Sequence, residues 1–250
     1  MSKHGVLIVD TLSGLLDGLH TEVCESQFGG DWKRFNDFAA GHIVAVGKFR
    51  PFLAALDACR AKGVAIILLA HVDERMRATA QADMWQIGPR LPNREGQMVN
   101  KWCDAVLCLT EEASVNKEGR VMASSRVIKT AFGPPFCCKN RWNLPADIDA
   151  GTSPKEAWAN LTKAIGDARA KAKGEVMKKP TKMLIYGPPG AGKTTIAGQA
   201  PGAVFLNDPM DEGVYTNQAT GDVPESAVVL PSPKNFAEAV KLVLEVAKDA

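Results

Sequence analysis

Residues 183–195 read MLIYGPPGAGKTT. Four apolar residues run straight into a turn with glycines at 187, 190 and 192, and the segment that follows, TTIAGQA, suits a helix. A short unbroken apolar run that stops at a glycine turn reads as a strand buried on both faces. Such strands lie inside parallel sheets with helices above and below. The feature also comes late. Only residues 194–250 follow Lys193, room for about two strands and two helices, too little to cover both faces of a sheet. The missing strands have to come from residues that precede the turn. Lys3–Asp10 (KHGVLIVD), Val64–His71 (VAIILLAH), Asp104–Thr110 (DAVLCLT) and roughly Arg120–Ala131 are candidates, with Ala203–Asn207 and Val228–Leu230 after the turn. Strands alternating with helices predict an α/β protein with a mainly parallel central sheet flanked by helices.

The intervening segments are less regular. Thr11–Gly30 reads as a loop with a weak helix, and Val72–Lys101 as irregular. Asp37–Ala61 has helical spacing and ends before Gly63. Ser153–Lys171 reads as a helix capped by Ser153 ahead of Pro154, and Asn235–Asp249 as another. Residues 174–181 mark a join between an N-terminal part, 1–173, and the turn-bearing part, 182–250. Lys163, Arg169, Lys171, Lys173, Lys178, Lys179 and Lys182 crowd this region against Asp167 and Glu175, as a solvated tether or as an arm for nucleic acid.

Composition narrows the class. Hydrophobic residues make up 46% of the 250, which excludes a disordered chain, and the net charge of +2 places any basic surface locally rather than in bulk. No apolar stretch approaches the ~20 residues of a membrane span. The N-terminal MSKHGVLIVD lacks a signal peptide's apolar region, and the 6 cysteines contain no CxxC pair, so reduced thiols in the cytoplasm are expected. Cys103 and Cys108 with His71 do not have the spacing of a zinc framework.

Gly187, Gly192, Lys193 and Thr194 fit G-x-x-x-x-G-K-[ST], and the strand before and helix after supply its context. Glycines let the backbone curl so that several N–H groups face phosphate oxygens. The segment Gly187, Pro188, Pro189, Gly190, Ala191, Gly192, Lys193, Thr194 and Thr195 is thus expected to cradle the phosphates of ATP. Lys193 would reach the β- and γ-phosphates and the Thr194 hydroxyl would ligate Mg²⁺. That chemistry also needs an acid at the end of the strand beside the one that feeds the loop. Asp10, directly after Val6–Val9, is the candidate. An acid 183 positions before the loop lysine implies a circularly permuted order, a single domain whose parent ran from about Met177 to Ala250 and then from about Lys3 to Lys173. Two unrelated domains joined by a linker is the competing reading.

In rotated order, nearly the whole chain resembles the small RecA/RadA-like ATPases of bacteriophages, related to single-strand annealing and recombination-mediator proteins. MLIYGPPGAGKTT, AVFLND, VLIVDTL, VAIILLAH, NKWCDAVLCLT and KNRWNLP carry the resemblance. It implies Mg²⁺-dependent ATP hydrolysis coupled to single-stranded DNA, with self-association as a ring or filament. It implies Asp10 as the metal-holding acid and, from FLNDPMDEG, Glu212 as the base that activates water, with Asp208 as the second choice. It makes His71 a sensor of the γ-phosphate, against the alternative of a packed strand-end histidine. Lys139, Asn140 and Arg141 would reach a neighbouring subunit's nucleotide, against the alternative of an exposed basic turn. Arg75, Arg77, Arg90, Arg94 and Lys101 would contact DNA phosphates and Trp85 would stack on a base, against a solvated loop with Trp85 buried. Two other functions compete: a nucleotide-gated DNA-binding or assembly module that barely hydrolyses ATP, and a small-molecule or nucleotide kinase using 72–101 as its lid.

Overall fold

The computed structural model describes residues 5–78, 83–115, 121–171, 179–208 and 213–250. In chain order the N-terminal part gives β1 (Val6–Asp10), α1 (Leu12–Phe28), α2 (Trp32–Asn36), a short 3₁₀ turn, α3 (Ala40–Ala61), β2 (Ala65–Ala78), β3 (Asp83–Pro89) and α4 (Asn93–Trp102). It continues with β4 (Ala105–Val115), β5 (Val121–Lys129), β6 (Lys139–Asn140), β7 (Asp147–Asp149) and α5 (Pro154–Lys171). The rest forms β8 (Lys182–Gly187), α6 (Lys193–Gly198), β9 (Ala203–Asn207), α7 (Gly213–Ala219), β10 (Val228–Val229) and α8 (Phe236–Asp249). No helix among the described residues is long and apolar enough to cross a membrane.

All the strands join one sheet in the order β10-β9-β1-β2-β8-β4-β5-β7, with β3 added to β2 and β6 to β4. The six strands from β10 to β4 pair in parallel, and β5, β7, β3 and β6 pair antiparallel. Strands from both ends of the sequence interleave: β8 sits between β2 and β4, and β9 beside β1. Without β8 the strands of the N-terminal part would fall into two pieces, β1-β2-β3 and β6-β4-β5-β7.

The apolar runs of β1, β2, β8 and β9 are explained by burial on both faces. Leu7, Val9, Ile66, Leu68, Leu184 and Leu206 face a core with α1, α3 and α8. Val6, Ile8, Ile67, Leu69, Ile185 and Phe205 face a second core with α5, α6 and α7. By the same alternation Asp10, His71 and Asn207 point to the α6 side, at the ends of their strands.

Two expectations need correcting. Thr11–Gly30 is not a loop with a weak helix but the 17-residue α1. Thr11 caps it by accepting from the Gly14 N–H, Leu12, Leu15, Leu16, Leu19 and Val23 form its buried stripe, and Gly29 closes it in the left-handed conformation. Val72–Lys101 is not irregular either. β2 continues past His71 and forms an antiparallel hairpin with β3, and α4 follows. The expected strand from Lys3 starts at Val6 among the described residues, and Arg120 and most of the basic join at 174–181 lie outside them.

Candidate functional site

The β8 strand delivers Gly187 to the end of the sheet between β2 and β4. A Cβ on Gly187 would come within 2.3 Å of the Leu109 carbonyl oxygen of β4, so only glycine fits there. The chain then turns over Pro188 and Pro189, which have no N–H, so the amides available to a phosphate come from Gly190 onward. Gly192 has φ +93° at the start of α6, a backbone state that favours glycine. Lys193 is buried, and its ammonium donates to the Gly187 and Pro188 carbonyls at 3.0 and 3.1 Å, bracing the loop from inside.

The decisive contact joins the two ends of the sequence. The Thr194 hydroxyl donates to Asp10 Oδ2 at 2.7 Å. Asp10 is almost fully buried at the end of β1. One detail differs from expectation: β1 does not flank β8 directly, because β2 lies between them. The reach of Asp10 across that strand comes from its position at the tip, where Thr194 on α6 overhangs the sheet. Asp10 and Thr194 offer hard oxygen donors of the kind Mg²⁺ takes, few enough to leave places for phosphate and water, so the residues fit that ion. Among the described residues no cluster of three or more His, Cys, Asp and Glu side chains could hold a metal, and all six cysteines are free thiols.

A cavity of about 570 Å³ opens over the loop, lined by Asp10, His71, Gly190, Lys193, Thr194 and Thr195, by Gly213, Asn217 and Asp222 on one flank, and by Arg126, Thr152 and Pro154 on the other. His71 aligns with Gly187 in the β2–β8 register. Its N–H donates to the Ser13 hydroxyl at 3.1 Å, and that hydroxyl donates to the Arg90 carbonyl at 2.9 Å. His71 also lines a second cavity of about 610 Å³ on the α1 side, so it separates the two.

Asp208 belongs to that second cavity, not to the loop cavity. Its carboxylate packs so closely on α1 that a Cβ on Gly14 would lie 1.3 Å from Oδ2. This corrects its assignment as a second choice for the base beside the loop: beyond Asn207 the strand alternation turns it to the opposite face. Glu212 lies outside the described residues. Asn207, paired with Asp10 in the β1–β9 register, went unnoticed in the sequence. It is 2% exposed, and among the described residues neither its Oδ1 nor its Nδ2 has a hydrogen-bond partner.

Lys139 and Arg141 lie at the other end of the sheet, where β6 pairs with the start of β4. The Lys139 ammonium donates to the carbonyls of Asn100, Lys101 (3.4 Å) and Cys103 (2.8 Å), capping the C-terminus of α4. Burial, with Arg141 nearby, lowers its pKa from the usual lysine value. The Asn140 side chain holds Trp142 N and Leu144 N at 3.1 Å. Arg141 donates to the Lys101 carbonyl at 3.2 Å and lies 3.7 Å from Asp104. The alternative of a merely exposed basic turn is therefore wrong for Lys139, which the fold itself employs.

The expected DNA-facing residues are spread over the β2–β3 hairpin, the turn after it and α4. Arg75 pairs with Asp73, and Arg90 with Asp17 at 2.7 Å. Met76 and Trp85 are cross-strand partners and both are exposed, which excludes a buried Trp85. The pleat puts them on the opposite face of the hairpin from Arg75. Arg77 aligns with Met84. Arg94 and Lys101 are exposed on α4. No family model, no curated protein and no solved structure matches this chain.

Proposed function

We propose that this chain is a Mg²⁺-dependent ATPase on a RecA-like core in circularly permuted order. The observation that carries the reading is the 2.7 Å bond from Thr194 on the glycine loop to Asp10 at the end of β1. A hydroxyl and a carboxylate remote in sequence meet beside the buried loop lysine, and the sheet order interleaves the two ends of the chain as a permuted domain requires. Lys193 would release its loop carbonyls to bind β- and γ-phosphate oxygens, while Asp10 and Thr194 would hold Mg²⁺, which when bound neutralises phosphate charge. His71 would meet the γ-phosphate. β2 runs unbroken from His71 into the hairpin that exposes Trp85, so occupancy of the cavity would reorient a surface suited to stacking on single-stranded DNA.

A second reading is a nucleotide-gated binding module with little hydrolysis. It is favoured by the position of Asp208 on the far side of His71 from the loop. One experiment separates them: phosphate release from Mg-ATP with and without single-stranded DNA, beside DNA binding in a non-hydrolysable ATP analogue. Release that rises with DNA supports the ATPase. DNA binding driven by the analogue without turnover supports the module, and failure to bind ATP removes both.

A further inference from the structure

Arg126 has no place in the loop motif, yet the fold carries it to the loop. It projects from β5, two strands beyond β8 on the side away from β1, and lines the cavity with Thr152 and Pro154. Its Nη1 lies 3.3 Å from where a Cβ on Gly192 would stand, directly over the loop. Its register partner on β4 is Glu111, but among the described residues Arg126 forms no ion pair. Among the described residues its guanidinium makes one hydrogen bond, a long one of 3.5 Å from Nη2 to the Gly151 carbonyl. A half-buried guanidinium beside an anion cradle with its fork unfilled is prepared for a phosphate oxygen.

The position fixes which phosphate. Asp10 and Thr194 mark the metal end of the cavity, and Lys193 takes the β- and γ-groups. The Arg126 guanidinium stands over Gly192, in the stretch whose backbone N–H groups would cradle the α- and β-phosphates. The flank on the Asp10 side carries Asp222, a carboxylate that repels phosphate. The phosphates therefore keep to the flank that carries Arg126, and with Lys193 on the β- and γ-groups the one left for Arg126 is the α-group, which ATP and ADP share. Resting on the ATP-binding reading above, we infer that Arg126 holds the α-phosphate and so positions the nucleoside of the bound nucleotide.

Calorimetric titration of the whole chain with Mg-ATP and with Mg-ADP tests this. Arg126→Ala is expected to weaken both nucleotides by about tenfold and by the same factor, because both carry the α-phosphate. Arg126→Lys keeps the charge but loses the fork, and is expected to weaken both by about threefold. It carries the test should the alanine variant fail to fold. Loss confined to ATP would place the guanidinium on the γ-phosphate and overturn the inference, as would unchanged affinity for both in either folded variant. Wild-type chain that binds neither nucleotide would overturn the ATP reading itself, a result distinct from failure at Arg126.

Discussion

Two cations at opposite ends of the sheet show how this fold divides its polar groups. Lys139 gives its ammonium to three carbonyls at the end of α4 and belongs to the scaffold. Arg126, over the glycine loop, has one long bond to a carbonyl and belongs to a cavity. Asn140 shows the same economy at the first end, with both ends of its amide engaged, while the Asn207 amide beside Asp10 has no partner among the described residues. Buried polar groups left unmade cost stability. Asn207 and Arg126 put two such groups at the loop end of the sheet, where a bound ligand would supply partners.

The comparison breaks most visibly at the loop. Thr194→Ala is expected to lower ATP hydrolysis by about a hundredfold, by loosening the metal, and to cost about 1 kcal/mol of stability because the buried Asp10 carboxylate loses its hydroxyl donor. A variant that keeps its turnover would remove Thr194 from the site. At the other end the pattern should invert. Lys139→Met is expected to cost about 2 kcal/mol of stability, the scale of a charged hydrogen-bonding group, and to leave ATP affinity unchanged. The buried Cys103 thiol, whose pKa burial pushes up to about 12, should then alkylate faster. Stability equal to wild type with lost turnover in the assembled protein would instead favour the role in a neighbouring subunit.

Asn207→Leu sharpens the contrast further. Replacing an unpartnered buried amide by an apolar side chain of similar size is expected to raise stability by about 1 kcal/mol, and to lower turnover. Denaturant unfolding beside a turnover assay checks both, and a destabilised variant would mean that the amide already serves the fold.

The smallest effect concerns pH. His42 on α3 donates from Nε2 to the Asn36 Oδ1 at 3.1 Å and lies against His20, with Glu95 and Arg94 near. Burial first, then the neighbouring His20, lowers its pKa below the usual 6.5. Between the folded and unfolded values the unfolded chain binds more protons, so stability should fall as pH drops below about 6.5. His42→Gln should flatten that slope in thermal melts from pH 7 to 5. An unchanged slope would assign it elsewhere.

What the sequence disclosed was what lies close along the chain. Val6–Asp10, Met183–Tyr186 and the loop are short segments whose composition carries their burial and their chemistry. Asp10 could be chosen because an acid ending an apolar run is conspicuous. Arg126 and Asn207 could not, since one enters from an antiparallel strand and the other from a strand tip, and only sheet order brings the first to the loop and the second beside Asp10. α1 was obscured by Gly14 and Gly18, and the β2–β3 hairpin by its lack of a buried face, which leaves no alternation to read. The arginines of that hairpin suggested a single DNA surface, but the pleat separates Arg75 from Trp85.

The most direct measurement is the affinity of the chain for ATP with and without Mg²⁺, in wild type and in Asp10→Asn. A site shared by Asp10 and Thr194 predicts that Mg²⁺ tightens binding in the wild type and that this gain disappears in the variant, while metal-free binding to the loop persists. An equal gain from Mg²⁺ in both proteins, or no ATP binding by the wild type, would contradict it.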